Sequence, residues 1–304
     1  MIPAISTTNL TKVYRLPRGV RKTAVESLTL EVKQAEIFGF LGPNGAGKTT
    51  TIKMLLGFVK PTAGSAQIMG IPIDRTNARA DIGYLPEQPY FHKFMTAREI
   101  ISMHAALIGI KRSERKQKID EVIEQVGLEE IARTPASKLS KGQVQRIGIA
   151  QALIGSPSLL ILDEPTSGLD PLGRQQIRDL LLDLNRQGKT IFLSSHLLSE
   201  VETICSRIAV LVKGRMAAIG TPNEIKRGGE RTAITVAGEL PSELIVRLGY
   251  LSADIAHSEG ETVITVESHQ IYELIDTIRE YNLPLVSVMP IRETLEEAFL
   301  RLAA

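Results

Sequence analysis

A glycine-rich run at residues 42–50, Gly-Pro-Asn-Gly-Ala-Gly-Lys-Thr-Thr, constrains this chain more than any other feature. An apolar strand pattern ends near Leu41, just before the run, and a helical pattern begins near Gly47. Gly42, Gly45 and Gly47 let the backbone turn without a Cβ, so several N–H groups can point at phosphate oxygens. The N-terminus of the helix favours the same anions. The run therefore predicts a site for a nucleoside triphosphate.

Each polar residue of the run has a predicted task. Lys48 would reach the β- and γ-phosphates as a point charge, and the Thr49 hydroxyl would be a ligand of Mg²⁺. Thr50 would support the loop through its backbone N–H. A glycine turn arising by chance is the alternative, but the order strand, loop, helix is the one that phosphate binding requires. The candidate nucleotide-binding residues here are Gly42, Asn44, Gly45, Ala46, Gly47, Lys48, Thr49 and Thr50.

A second segment supplies two acids. Residues 158–163 form an apolar run that ends in Asp163-Glu164-Pro165, which is typical of a central parallel strand with acids at its carboxyl end. Asp163 is predicted to hold Mg²⁺, usually through water, and Glu164 to polarise the attacking water. A buried strand before a polar loop would explain the leucines, but not two adjacent carboxylates before a proline.

Two further segments belong to the same pattern. Ser140 and Gln143 have the spacing of a capping box ahead of an apolar helix; by itself, a helix cap needs no phosphate. His196 follows the β-rich segment Thr190-Ile191-Phe192-Leu193-Ser194-Ser195, whose carboxyl end is expected at the same crevice. A lone histidine is more often structural, but this position favours contact with the γ-phosphate.

In order and spacing, these motifs over residues 4–220 resemble the nucleotide-binding subunit of an ATP-binding cassette (ABC) transporter. The resemblance implies that ATP and Mg²⁺ are bound and that Glu164, His196 and Lys48 are catalytic. By family motif, Gly42 to Thr50 resembles the Walker A loop, Leu139 to Gln143 the signature motif, Ile161 to Glu164 the Walker B strand, Ser167 to Asp170 the D-loop, His196 the switch histidine, and Tyr14 the aromatic that stacks on adenine.

The resemblance also implies partners. Two cassettes would pair head to tail, as a homodimer or a heterodimer. Ser140 and Gly142 of one cassette, in the same segment as Gln143, would cap the phosphates bound by the other, and Asp170 would cross the interface beside them. A separate integral membrane permease would receive the resulting motion.

The sequence departs from the commonest family pattern in two places. Lys141 stands in the signature motif where glycine is usual, and activity is expected to survive this change. Glu87 stands where the family has the Q-loop glutamine, with Gln88 one residue later, so either residue is a candidate to face the metal. Tyr90 and Phe91, which follow, are candidates for a groove that accepts a membrane partner.

The expected fold is α/β. Residues 1–222 would form a P-loop NTPase cassette with a mixed sheet core, an antiparallel β layer and a helical arm at about 90–136. Turn residues at 226–229 mark a boundary. Residues 231–304 read as strand, helix, two strands, helix, strand, which predicts a small ferredoxin-like α+β accessory domain. This tail resembles that of ABC-2 type exporters, with its Leu-Glu-Glu-Ala-Phe-Leu stretch at 295–300, and so implies export.

Composition limits the remaining possibilities. A net charge of +2 creates no global field for nucleic acid, so no nucleic acid partner is expected. The single cysteine, Cys205, excludes an internal disulfide and fits a reducing cytosol. No stretch approaches the roughly 18 apolar residues needed to cross a bilayer. We therefore expect a cytoplasmic protein, held at the cytoplasmic face of the membrane by its permease.

Two other classes of function remain open at the level of sequence. One is a soluble ABC-type ATPase that acts on ribosomes or DNA, although such chains typically carry two cassettes or a long coiled coil. The other is a P-loop kinase of a small molecule, which would leave the signature segment and His196 without a task.

Overall fold

The computed structural model describes residues 2–15, 17–226, 231–250, 253–258, 260–291 and 293–303. The chain divides into two compact units, Met1–Pro222 with Leu302–Ala304, and Asn223–Arg301. Residues 227–229 of the predicted boundary segment lie outside the described residues.

The first unit contains both strands and helices. The strands are β1 Ile5–Arg15, β2 Arg21–Val32, β3 Ile37–Leu41, β4 Ala63–Ile68, β5 Ile71–Pro72, β6 Ile82–Leu85, β7 Leu159–Asp163, β8 Thr190–Ser195, β9 Arg207–Val212 and β10 Arg215–Gly220. The helices are α1 Lys48–Leu55, α2 Ala97–Leu107, α3 Arg112–Gln125, α4 Lys141–Leu153, α5 Pro171–Arg186 and α6 Leu198–Ile204, and α7 Pro222–Ile225 follows.

A six-stranded sheet forms the centre of this unit, in the order β10-β9-β3-β8-β7-β6. All neighbours are parallel except β9 and β10. The carboxyl ends of β3, β7 and β8 therefore meet at one edge, where parallel α/β sheets place their ligands. The phosphate loop follows β3, Asp163 ends β7 with Glu164 directly after it, and His196 follows β8.

A second sheet, in the order β2-β1-β4-β5, is antiparallel throughout. Its first two strands, β1 and β2, form a hairpin that extends into the basic segment from Arg15 to Lys22. In this hairpin Tyr14 pairs with Lys22 and Arg15 with Arg21. A short 3₁₀ turn at Pro17–Gly19 completes the hairpin.

Helix is confined to two parts of the segment predicted as a helical arm. Residues 90–95 and 126–135 are not helical, so the expected helical range of about 90–136 was too wide. Positive-φ glycines at Gly109 and Gly127 close the turns after α2 and α3. Thr96 and Glu99 form a capping box at the start of α2, and the apolar side chains of Ile119, Val122 and Ile123 on α3 are buried.

The core of the first unit packs between these layers. Phe192 of β8 contacts both aromatic residues of β3, with ring centroids 5.9 Å from Phe38 and 5.4 Å from Phe40. All three rings are fully buried, so they pack β3 and β8 together on one face of the sheet. Within the described residues, no helix is long and apolar enough to span a membrane.

The second unit is built on a four-stranded antiparallel sheet in the order β12-β13-β11-β14. This order and the alternation of its elements match the predicted ferredoxin-like arrangement. Ile234 and Ile264 of the sheet pack with Leu244 and Leu274 of the helices. Its elements are β11 Arg231–Ala237, α8 Ser242–Tyr250, β12 Asp254–Ser258, β13 Glu261–Glu267, α9 Ile271–Glu280, β14 Leu285–Ile291 and α10 Leu295–Ala303.

Candidate functional site

The glycine-rich loop has the backbone geometry of a phosphate cradle. Gly45 and Gly47 have φ values of +81° and +111°, in the left-handed region that side chains disfavour. A Cβ on Gly47 would also overlap the carbonyl oxygen of Ala24. Gly47 is the N-cap of α1, and Thr51 Oγ1 donates to its carbonyl at 3.0 Å. The loop therefore directs the N-terminus of α1 into the space above it.

That space is a cleft of about 650 Å³, a size typical of sites for small ligands. It brings together residues from β1, β2, the loop and the ends of the central strands. Its lining residues are Tyr14, Lys22, Ala24, Pro43, Asn44, Gly45, Gly47, Lys48, Thr49, Thr50, Glu87, Glu164, Ser167 and His196. The predicted residues that do not line it are Gly42, Ala46, Gln88, Ser140, Gly142, Gln143, Asp163 and Asp170.

Lys48, Glu164 and His196 form one connected polar group in the cleft. Lys48 Nζ lies 3.2 Å from Glu164 Oε1 and donates to the carbonyl of Gly42 at 2.7 Å. His196 Nδ1 lies 2.7 Å from the other carboxylate oxygen, Oε2. Lys48 and Glu164 are each only 6% exposed, so this ion pair is weakly screened by water. A phosphate oxygen that bound Lys48 would compete with Glu164 for the ammonium group.

Asp163 lies behind the cleft wall, with 2% of its surface exposed. Its Oδ1 accepts a hydrogen bond of 2.6 Å from Ser194 Oγ. Glu164 follows it with a φ of +52°, a conformation that is uncommon for a residue with a side chain. The backbone turn sends the two neighbouring carboxylates in different directions: that of Glu164 lines the cleft and that of Asp163 does not.

Tyr84 of β6 shares the environment of Asp163. Burial, with the negative charge of Asp163 as a second cause, raises the pKa of Tyr84 to about 12. The phenol therefore stays neutral at physiological pH and adds no negative charge beside the acids.

The signature segment lies against the D-loop of the same chain. Ser140 caps α4, and the predicted capping box with Gln143 is confirmed. Lys141 Nζ occupies the place that a Cβ on Gly168 would take. Asp170 caps the following helix by accepting a hydrogen bond of 3.1 Å from Gly173 N. The two segments thus meet outside the cleft that contains Lys48.

The remaining candidates differ in position. Glu87 lines the cleft, whereas Gln88 does not, although both are exposed. Tyr14 also lines it, and Lys12 Nζ lies 5.2 Å from the centroid of the Tyr14 ring, within cation–π range.

Lys22 and Ser194 are residues of this site that sequence reasoning missed. Lys22 lines the cleft because the hairpin places it opposite Tyr14; pairing the two strands in the sequence would have found it. Ser194 contacts both acids, and its signal is a pair of serines that ends an otherwise apolar strand.

The sequence matches the ABC transporter family over residues 25–167. A Synechocystis sp. protein named as an uncharacterized ABC transporter ATP-binding protein is 37% identical, over 98% of this chain and 84% of the relative. The bacitracin transport ATP-binding protein BcrA of Bacillus licheniformis is 45% identical, over 71% of this chain and 69% of its own. The linearmycin resistance ATP-binding protein LnrL of Bacillus subtilis is 34% identical, over 97% of this chain and 96% of its own.

Solved structures of ATP-binding cassettes have the same fold. The cassette MJ0796, described as a dimer in a post-hydrolysis state with ADP and Pi, is 28% identical with a TM-score of 0.65, over 71% of this chain and 98% of its own. CbiO1 of Clostridium perfringens, described as part of the complex cbiONQ, is 29% identical with a TM-score of 0.67, over 74% of this chain and 91% of its own.

The fold and the cleft define a P-loop NTPase of the α/β class, and the similarities narrow that class. The chain belongs to the ABC transporter family and is an ATP-binding subunit. It is an ATPase.

Proposed function

We propose that this chain binds ATP with Mg²⁺ and hydrolyses it to energise a separate membrane permease, in the direction of export. The connected group of Lys48, Glu164 and His196 in the cleft is the observation that carries the proposal. Two relatives are named for bacitracin transport and for linearmycin resistance, and these names favour export.

Glu164 is the proposed general base. Its carboxylate lines the cleft with His196 Nδ1 2.7 Å away, so its orientation is set before substrate arrives. Once Lys48 turns to a phosphate, Glu164 Oε1 is available to orient a water for in-line attack on the γ-phosphorus. His196 holds the far side of the carboxylate and can donate to the γ-phosphate.

The residues proposed to hold Mg²⁺ are all hard oxygen donors, which suits this ion. Thr49 offers a hydroxyl in the first turn of α1, and Glu87 reaches the cleft from the segment after β6. Asp163 offers a buried carboxylate behind the cleft wall, which would hold the ion through water. When bound, the ion would neutralise charge on the phosphates. Lys48 supplies a second positive charge from the protein itself.

A second cassette is the proposed first partner, as a homodimer or a heterodimer. Ser140 and Gly142 are not lining residues of the cleft that holds Lys48, which favours a role at a different nucleotide. In a head-to-tail pair they would face the phosphates of the other chain, with Gln143 and Asp170 beside them. The N-terminus of α4, with its capped N–H groups, suits an anion.

A permease at the cytoplasmic face of the membrane is the proposed second partner. Tyr90 and Phe94 are 85% and 77% exposed, and they follow the cleft residue Glu87 along the chain. Exposed aromatic side chains are enriched at protein interfaces. Phe91, the other residue predicted for this groove, is half-buried. We propose the cassette at 1–222 as the motor and residues 231–304 as an accessory domain.

The position of Glu87 leads to a prediction about the Q-loop. Because Glu87 lines the cleft and Gln88 does not, the Glu87→Ala variant should need about tenfold more Mg²⁺ for half-maximal ATPase activity. Gln88→Ala is the matched control, with an expected change of less than about twofold. Steady-state ATPase assays over a Mg²⁺ titration measure both, and a larger shift for Gln88→Ala would reverse the assignment.

The proposed transport role is tested by what the protein binds in cells. The Glu164→Gln variant, which should retain ATP, is purified with ATP from mildly solubilised native membranes, and its partners are identified by mass spectrometry. A multi-span membrane protein is expected. Lys48→Ala, treated identically, should recover less of the membrane protein, because this variant is expected to bind ATP weakly and so to populate the ATP-bound state less. Ribosomal proteins or nucleic acid with no membrane protein would instead indicate a soluble ABC-type ATPase.

A further inference from the structure

Ser194 makes hydrogen bonds to both acids of the site. It is fully buried at the carboxyl end of β8, and its register partner on β7 is Asp163. Ser194 Oγ donates to Asp163 Oδ1 at 2.6 Å and accepts from the backbone N–H of Glu164 at 3.1 Å. A hydroxyl carries one proton and two lone pairs, so the only proton that the Ser194 hydroxyl can donate goes to Asp163.

These contacts determine where each acid points. Asp163 Oδ1 is almost sealed from water, so the hydroxyl is the donor that keeps it satisfied and leaves Oδ2 for another ligand. The Glu164 N–H also bonds the Ser194 carbonyl at 3.2 Å. The hydroxyl and the carbonyl oxygen of Ser194 therefore both accept from the Glu164 N–H, and together they hold the Glu164 backbone at its positive φ.

We propose that Ser194 is a positioning residue for the metal-binding acid: its hydroxyl orients Asp163 toward the cation and supports the backbone turn that sends Glu164 into the cleft. This inference rests on the proposed function, because it assigns a task within the same metal and phosphate site. Ser194 itself contacts neither substrate nor metal. Without its hydroxyl, the Asp163 carboxylate can rotate, and cation binding weakens.

Thr190 supplies a matched structural control on the same strand. It is 1% exposed at the opposite end of β8, where its Oγ1 accepts a hydrogen bond of 2.9 Å from Ala35 N. Replacing it by valine removes a buried hydroxyl of the same strand without touching the acids. If Ser194 had a purely structural role, substitutions at Ser194 and at Thr190 would affect cation binding equally.

The test measures metal binding directly, with Mn²⁺ as the probe because it accepts the same oxygen ligands. Protein-bound Mn²⁺ is measured by equilibrium dialysis of the full chain against Mn²⁺ in the same saturating ADP, because free ADP also binds the ion and must be present at the same concentration on both sides. Ser194→Ala should weaken Mn²⁺ binding roughly 10- to 100-fold, whereas Thr190→Val should match the wild type. Thermal unfolding without nucleotide shows that both variants are folded, and ADP affinity in EDTA should be unchanged.

A second pair of variants separates the hydroxyl from side-chain volume. Ser194→Thr keeps the hydroxyl and should retain tighter Mn²⁺ binding than Ser194→Val, which has nearly the same volume. Unchanged Mn²⁺ binding in Ser194→Ala, or an equal loss in Thr190→Val, would overturn the positioning role while leaving the proposed function intact. If the wild type with ADP bound no Mn²⁺, the proposed metal site itself would be wrong.

Discussion

The Glu164→Gln variant is expected to bind ATP and to hydrolyse it about 10²- to 10⁴-fold more slowly than the wild type, the range for loss of a general base. The amide keeps the shape of the carboxylate and can still accept the hydrogen bond from His196, but it cannot accept a proton. Single-turnover hydrolysis of labelled ATP measures the rate. Turnover at the wild-type rate would remove Glu164 from its proposed role.

The same substitution should not weaken ATP binding. In the wild type, Lys48 Nζ is 3.2 Å from the Glu164 carboxylate, so phosphate must displace a buried ion pair. A neutral glutamine competes less for the ammonium group, and affinity should equal or exceed that of the wild type. With hydrolysis blocked, size-exclusion chromatography with ATP should show a stable dimer. Glu130→Gln, the same change at an exposed position, is the control. It should neither raise ATP affinity nor yield a stable dimer.

The fold of the cassette could be predicted from sequence because its signals are local. A glycine loop must join a strand to a helix, and an apolar run that ends in two acids fits a central strand. Both features depend on a few neighbouring residues, and the structure places the two strands, β3 and β7, on either side of β8 in the central sheet. The capping boxes at Thr96 and Ser140 were predictable for the same reason.

The features that the sequence did not reveal depend on register between distant strands. Ser194 meets Asp163 only because β7 and β8 pair in one register, and the position of Lys22 depends on the hairpin of β1 and β2. The ambiguity between Glu87 and Gln88 is of the same kind, since neighbouring residues of a loop differ only in the direction of their side chains. Such directions follow from tertiary packing, which local propensity does not encode.

Removal of the Lys48 side chain is expected to have the second large effect, this time on binding. Lys48→Ala should weaken ATP affinity about 100-fold, the upper range for losing a hydrogen bond between charged groups. It also leaves Glu164, which is 6% exposed, without its ion-pair partner, so a buried negative charge then faces the phosphates and repels them. Isothermal titration calorimetry with ATP and Mg²⁺ gives the affinity.

Lys53→Ala provides the control for the same helix. Lys53 lies in the last turn of α1 and is exposed, so its removal should leave ATP affinity within about twofold of the wild type. The double variant Lys48→Ala/Glu164→Gln separates the two causes of weakened binding. If repulsion by Glu164 contributes, the double variant will bind ATP more tightly than Lys48→Ala but less tightly than Glu164→Gln. Unaltered affinity in Lys48→Ala would contradict the phosphate cradle itself.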